Sequence, residues 1–146
     1  MLVDSYANID SLDLINIPNN KSFSVFDKIT DRWVVGNGTI EYIDSGGGAY
    51  RYKATVLIPN DMTGTFSIYV EGVDTVVDVY DAYDNRLNYY NVTSNDGTYY
   101  YRTGLPTTVN NTKVHHIRTR QMNASSFRGI RIIDDTTDNV LFQYSL

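Results

Sequence analysis

From residue 22 onward the chain is a succession of short β-type runs broken by turn residues, and no apolar stripe recurs at the 3.6-residue period of a helix. The clearest run is AYRYKATVLIP, residues 49 to 59, where Tyr50, Tyr52, Ala54, Val56 and Ile58 occupy every second position. A strand turns alternate side chains to opposite faces, so this run presents one apolar face for burial. Similar runs lie at 22–26, 31–35, 39–44, 65–73, 75–83, 87–93, 98–104, 112–121, 127–134 and 140–146. Recurrence at roughly 8 to 12 residues predicts an all-β fold: an antiparallel β-sandwich of jelly-roll type with about 8 to 10 strands. Helix formers are scarce, with glutamate only at Glu41 and Glu71. Residues 1–20 read as a peripheral arm and 21–146 as a single sandwich module. The turn chemistry of Tyr83-Asp84-Asn85-Arg86 and Ser94-Asn95-Asp96-Gly97 predicts tight hairpins, so that 65–104 reads as a meander.

At 146 residues this is the size of one domain. The absence of cysteine removes disulfides, thiolate metal sites and a cysteine nucleophile together. The opening MLVDSYANIDSL lacks the basic and apolar regions of a secretion signal, and no run approaches the roughly 18 apolar residues of a membrane span, so no membrane insertion is expected. Asn37, Asn91, Asn110 and Asn123 stand in glycosylation sequons, which matter only in a eukaryotic secretory pathway. The net charge of −5 is unevenly spread: residues 1–96 carry −8, residues 97–133 carry +6 with no acid, and residues 134–146 carry −3. The basic block of Arg102, Lys113, Arg118, Arg120, Arg128 and Arg131 marks a site for an anionic polymer if its members cluster, and mixes with the acids if strands from both ends interleave.

Motifs for catalysis are missing. His115 and His116 are adjacent, which on a strand points them to opposite faces, whereas a metal pair wants H-x-H spacing; they read as structural histidines. No G-x-S-x-G elbow, P-loop, dinucleotide fingerprint or EF-hand loop occurs. An accidental carboxylate pair for glycoside hydrolysis is easy to propose, but a sandwich of this length leaves little chain for the loops that would enclose a substrate, so the expectation is a protein that is not an enzyme. Asp81, Asp84 and Asn85 in one turn, and Asp134, Asp135 and Asp138 in another, are the oxygen-rich candidates for a structural calcium; the same composition also describes an exposed turn.

The aromatic inventory is more informative. Thirteen tyrosines stand against five phenylalanines and one tryptophan. A tyrosine offers a large apolar face at low entropic cost and keeps a hydroxyl for hydrogen bonding, which suits a recognition surface. Tyr89, Tyr90, Tyr99, Tyr100 and Tyr101 fall on two runs expected to pair as neighbours, with Tyr99 and Tyr101 on one face and Tyr100 on the other. The candidate ligand-binding set is Tyr89, Tyr90, Tyr99, Tyr101, Arg102, Arg118 and Arg120; ordinary packing of half-buried strands is the competing reading.

The segment NIPNNKSF…DRWVVGNGTIEYIDSGGGAYRYKATVLIP, with Trp33 and Gly36-Asn37-Gly38 as its closest approach to a motif, resembles the N-terminal half of jelly-roll carbohydrate-binding modules, including those of bacteriophage tail and baseplate proteins. The resemblance implies a non-catalytic module that binds a saccharide or an anionic cell-envelope polymer, with an optional structural calcium, in an extracellular or virion-associated setting. The alternative is a structural virion or fibre subunit whose aromatic face meets other subunits, as a homo-oligomer or within a virion. Nucleic acid is not expected, because the overall acidity opposes it.

Overall fold

A computed structural model describes residues 24–27, 32–44, 46–47 and 49–146, with side chains described from Gly36 onward. The expected arm at 1–20 and the side chain of Trp33 lie outside the described residues. All regular structure is β: β1 (Ser24–Asp27), β2 (Arg32–Gly36), β3 (Gly38–Asp44), β4 (Tyr50–Leu57), β5 (Thr65–Glu71), β6 (Thr75–Tyr80), β7 (Arg86–Val92), β8 (Ser94–Asn95), β9 (Tyr99–Pro106), β10 (Thr108–Val109), β11 (Thr112–Lys113), β12 (His116–Thr119), β13 (Met122–Asn123), β14 (Gly129–Asp134) and β15 (Val140–Ser145).

Thirteen of the strands form two packed antiparallel sheets, as the recurring runs predict, and β10 and β11 pair with each other as a separate two-stranded ladder. The first, sheet A, has the order β1-β2-β15-β14-β5-β9-β8. The second, sheet B, runs β3, β4, then β12 and β13 end to end along the far side of β4, then β6 and β7. From Arg118↔Thr55 to Met122↔Tyr52 the β12–β13 side advances four residues while β4 advances three. The extra residue interrupts the ladder, and the Thr119 hydroxyl oxygen accepts the Ala54 N–H at 2.9 Å in its place.

The apolar members of each alternation meet between the sheets. Ala54 and Val56 of β4, Val77 and Val79 of β6 and Ile117 of β12 face Phe66, Ile68 and Val70 of β5, Ile132 of β14 and Phe142 of β15; all are buried and belong to one core. Tyr52, Phe127 and Tyr144 extend that core as an aromatic group, with ring centroids 4.8 Å apart for Tyr52–Phe127 and 6.3 Å for Phe127–Tyr144.

The meander expected over 65–104 is not what the chain does. β5 lies in sheet A, β6 and β7 form a hairpin in sheet B, and β9 returns to sheet A beside β5. Local turn chemistry marks where strands end and leaves open which sheet the next strand joins, a choice made by burial of the apolar face. Gly36-Asn37-Gly38 is a corner of the same kind, carrying the chain from sheet A to sheet B. Gly36 has φ +108°, and a Cβ there would lie 2.1 Å from the Leu141 carbonyl oxygen; one on Gly38 would lie 2.5 Å from that of Thr55. Both glycines are required by this close crossing of backbones.

Candidate functional site

The residues of sheet B that alternate with the core positions build a polar, aromatic outer face. On β6, Val77 and Val79 point inward, so Asp78 and Tyr80 point out. Register then sets two rows across three strands: Arg118, Asp78 and Tyr89 in one, and His116, Tyr80 and Arg86 in the next. Arg120 follows β12 and reaches the same face.

Asp78 is the anchor of the first row. The Arg120 guanidinium grips it as a fork, Nε to Oδ2 at 3.1 Å and Nη2 to Oδ1 at 3.0 Å, and Arg86 Nη1 donates to Oδ1 at 3.3 Å. These two guanidiniums flank the Tyr89 ring at 5.6 and 5.8 Å from its centroid, while that ring remains 51% exposed. Burial raises the Asp78 carboxyl, but the hydrogen bonds and charges of Arg120 and Arg86 outweigh it and hold it below the ordinary carboxylate value. The guanidiniums are what cover this carboxylate, so it stays charged.

The second row is a stack. His116 lies flat on Tyr80, and Arg118 sits 4.6 Å from the same tyrosine's centroid. Asp84, in the β6–β7 turn at φ 66°, accepts from both His116 Nε2 at 2.9 Å and Arg118 Nη1 at 3.0 Å. Burial, with Arg118 and His115 nearby, pushes His116 below the ordinary histidine value despite its bond to Asp84. Neutral His116 therefore donates Nε2–H to Asp84, and its Nδ1 accepts from His115 Nδ1 at 2.9 Å. The two histidines touch, contrary to the opposite-face expectation: His115 donates its N–H to the Tyr80 carbonyl although His116 is the register partner of Tyr80, so two adjacent residues face one partner and the alternation is broken there.

The seven residues singled out in the sequence divide among three places. Tyr89, Arg118 and Arg120 share this face of sheet B. Tyr99 and Tyr101 lie on the outer face of sheet A around Tyr69, at 6.2 and 6.0 Å between centroids, beside a cavity of about 330 Å³ lined also by Arg131 and Asp96. Tyr100 turns inward against the core, opposite buried Val70. Tyr90 also packs on the core, and Arg102 covers its ring at 5.5 Å while donating to the Asn91 carbonyl at 3.3 Å. The expectation that the 87–93 and 98–104 runs pair is thus corrected: β9 pairs β5 and β8, and β7 pairs β6. Of the basic block, Arg118 and Arg120 end on Asp84 and Asp78, while Arg102, Lys113 and Arg128 end on backbone carbonyls and Arg131 on Gln143.

The acidic turns serve themselves. Asp81 accepts the N–H groups of Tyr83 and Asn85, Asp134 accepts that of Thr136, and Asp135 accepts the hydroxyls of Thr65 and Ser67. Asp138 occupies the left-handed position of its turn at φ 61°, with its N–H on the Asp134 carbonyl. Among the described residues no three His, Cys, Asp or Glu side chains form a group that could hold a metal ion, and the carboxylates of Asp134, Asp135 and Asp138 make no such group. Asp78, Tyr80 and Arg86 are not among the candidates drawn from the sequence, and His116 is named there only as a structural histidine; the alternation Val76, Asp78, Tyr80 against Thr75, Val77, Val79 carries the signal for the first two.

Among the described residues no helix is long and apolar enough to cross a membrane. Comparison of the chain with protein-family models, with curated proteins and with solved structures finds no match in any of the three.

Proposed function

We propose that this chain is a non-catalytic module that recognises saccharide on a cell surface, within a virion's attachment apparatus or a larger secreted protein, and that it does so with the outer face of sheet B. The observation that carries the reading is Tyr89: a half-exposed ring with two guanidiniums near it that are themselves fixed on Asp78. A sugar laid on that ring offers it a C–H face, and its hydroxyls meet N–H donors that are already oriented. Preorganised donors beside an aromatic platform lose little entropy on binding. His116 has both ring nitrogens engaged, which favours a structural over a proton-transfer role. The repeated crossing of the chain between sheets from β4 to β14 supports the jelly-roll form of the sandwich. A glycan array followed by titration tests the reading: Tyr89→Ala should weaken the best ligand by about tenfold or more, and unchanged affinity would remove the face from consideration.

A second reading rests on Tyr69, Tyr99 and Tyr101, a ring cluster on the opposite outer face that fits a subunit contact. Mass measurement in solution separates the two: a tight oligomer dispersed by Tyr99→Ala, with no glycan binding, favours an assembly role.

A further inference from the structure

The inner face of β3 and β4 runs past the core and out of the sandwich. Ile40 and Tyr52 are buried at 2% and 6% exposure, yet Tyr42 and Tyr50, which continue the same inward-facing alternation, are 40% and 39% exposed. The rings form a column: Tyr52 packs on Phe127, Tyr42 tilts against Tyr52 at 4.9 Å, and Tyr50 lies parallel to Tyr42 at 4.7 Å and 3°. The column ends at Tyr50, which among the described residues has no ring on its other side.

Around this end is an open depression of about 530 Å³, lined by Tyr42, Tyr50, Arg51, Asn123, Ala124 and Ser125, together with Ala49. That volume falls within the roughly 300–1,000 Å³ of small-ligand sites. Its wall is fixed: the Ala124 N–H donates to the Tyr50 carbonyl at 3.1 Å, and the Asn123 carboxamide oxygen accepts from Ser125 N–H at 2.9 Å and its hydroxyl at 2.8 Å. Arg51 donates to the Tyr50 carbonyl at 3.1 Å and, among the described residues, meets no carboxylate. Arg86, Arg118 and Arg120 on the same sheet are each matched to an aspartate.

The geometry points to a second binding site here, for a sugar ring that bears a carboxylate. The Tyr50–Tyr42 stack supplies a flat apolar platform, Arg51 a guanidinium that meets no carboxylate among the described residues and suits a planar carboxylate, and the Asn123–Ser125 turn a polar rim. A neutral sugar would use the platform and leave the cation unanswered; a free carboxylate would leave the rings bare. The inference takes only its ligand class from the saccharide reading, since it concerns a different part of the molecule.

Amide-resolved NMR titration of the full chain with galacturonate, glucuronate and N-acetylneuraminate oligosaccharides tests it, against neutral oligomers of equal length. At least one acidic probe should shift the signals of residues 49–51 and 123–125, with affinity falling about tenfold or more in Arg51→Gln and likewise in Tyr50→Ala. No shift at those residues with any acidic probe overturns the site, as does equal binding of the neutral oligomer or unchanged affinity in both variants. Shifts confined to residues 78–89 and 116–120 would uphold the sheet-face reading while sinking this one; shifts confined to 49–51 and 123–125 would do the reverse.

Discussion

The ring of His116 lies on that of Tyr80 with 5.0 Å between centroids and 5° between planes, close to parallel. The stack holds a neutral imidazole, because burial disfavours the cation and the nearby Arg118 and His115 add to that, together outweighing the hydrogen bond and charge of Asp84.

This sets a two-step acid response. Since His116 sits below its ordinary value of 6.5, the unfolded chain binds more protons than the folded one between 6.5 and the lower folded value, and stability falls as pH drops through that interval. Asp78 and Asp84 sit below their ordinary 3.8. Their contribution is intact above that value and is lost as pH falls through the folded values beneath it. Thermal melts against pH should show both slopes, and His116→Gln should flatten the first and weaken the Asp84 part of the second, leaving that of Asp78.

Truncating Phe127 should be costly. The side chain is fully buried between Tyr52 and Tyr144, and Phe127→Ala leaves a cavity that rigid aromatic neighbours fill poorly. A loss of about 3–5 kcal/mol in urea denaturation is expected, with folding retained at low denaturant or lost altogether.

Gly36→Ala should be worse than its single methyl suggests. The residue needs φ +108°, and the new Cβ meets the Leu141 backbone, which cannot rotate away. The expected cost is about 3 kcal/mol or more, seen as a lowered denaturation midpoint; a wild-type midpoint would contradict the corner geometry.

Asp78→Ala should act more on order than on stability. It releases Arg86 and Arg120, whose side chains are 54% and 50% exposed and rehydrate freely, so the loss should be about 1 kcal/mol or less. Glycan affinity should fall with it, because the donors around Tyr89 are no longer held; titration calorimetry reads both the weaker affinity and the larger entropic penalty.

The contrast between Tyr50 and Tyr100 shows how far residue order reaches. Alternation separates Tyr100 from Tyr99 and Tyr101, since a strand's period is local geometry, and the fold decides that it is Tyr100 that meets the core. Alternation also turns Tyr50 inward, where the opposing layer has already ended, and only the relative lengths of elements distant in sequence decide that. Strand positions and the sandwich were legible for the first reason. The pairing of β9 with β5, the His115–His116 contact and the grip of Arg120 on Asp78 were not, because each joins segments whose meeting depends on how two sheets share one core.

The ladder β1-β2-β15 has a mechanical consequence. Ser24 stands beside Val35 and Phe142 beside Gly36, so β1 and β15 point the same way on either side of β2, and Ser24 and Leu146 emerge from opposite ends of the sandwich. Tension applied between them runs along the strands and across the hydrogen bonds, which lie perpendicular to an antiparallel pair. The bonds are then loaded together, in shear, instead of being unzipped one after another. A module pulled through these strands resists by sliding whole ladders.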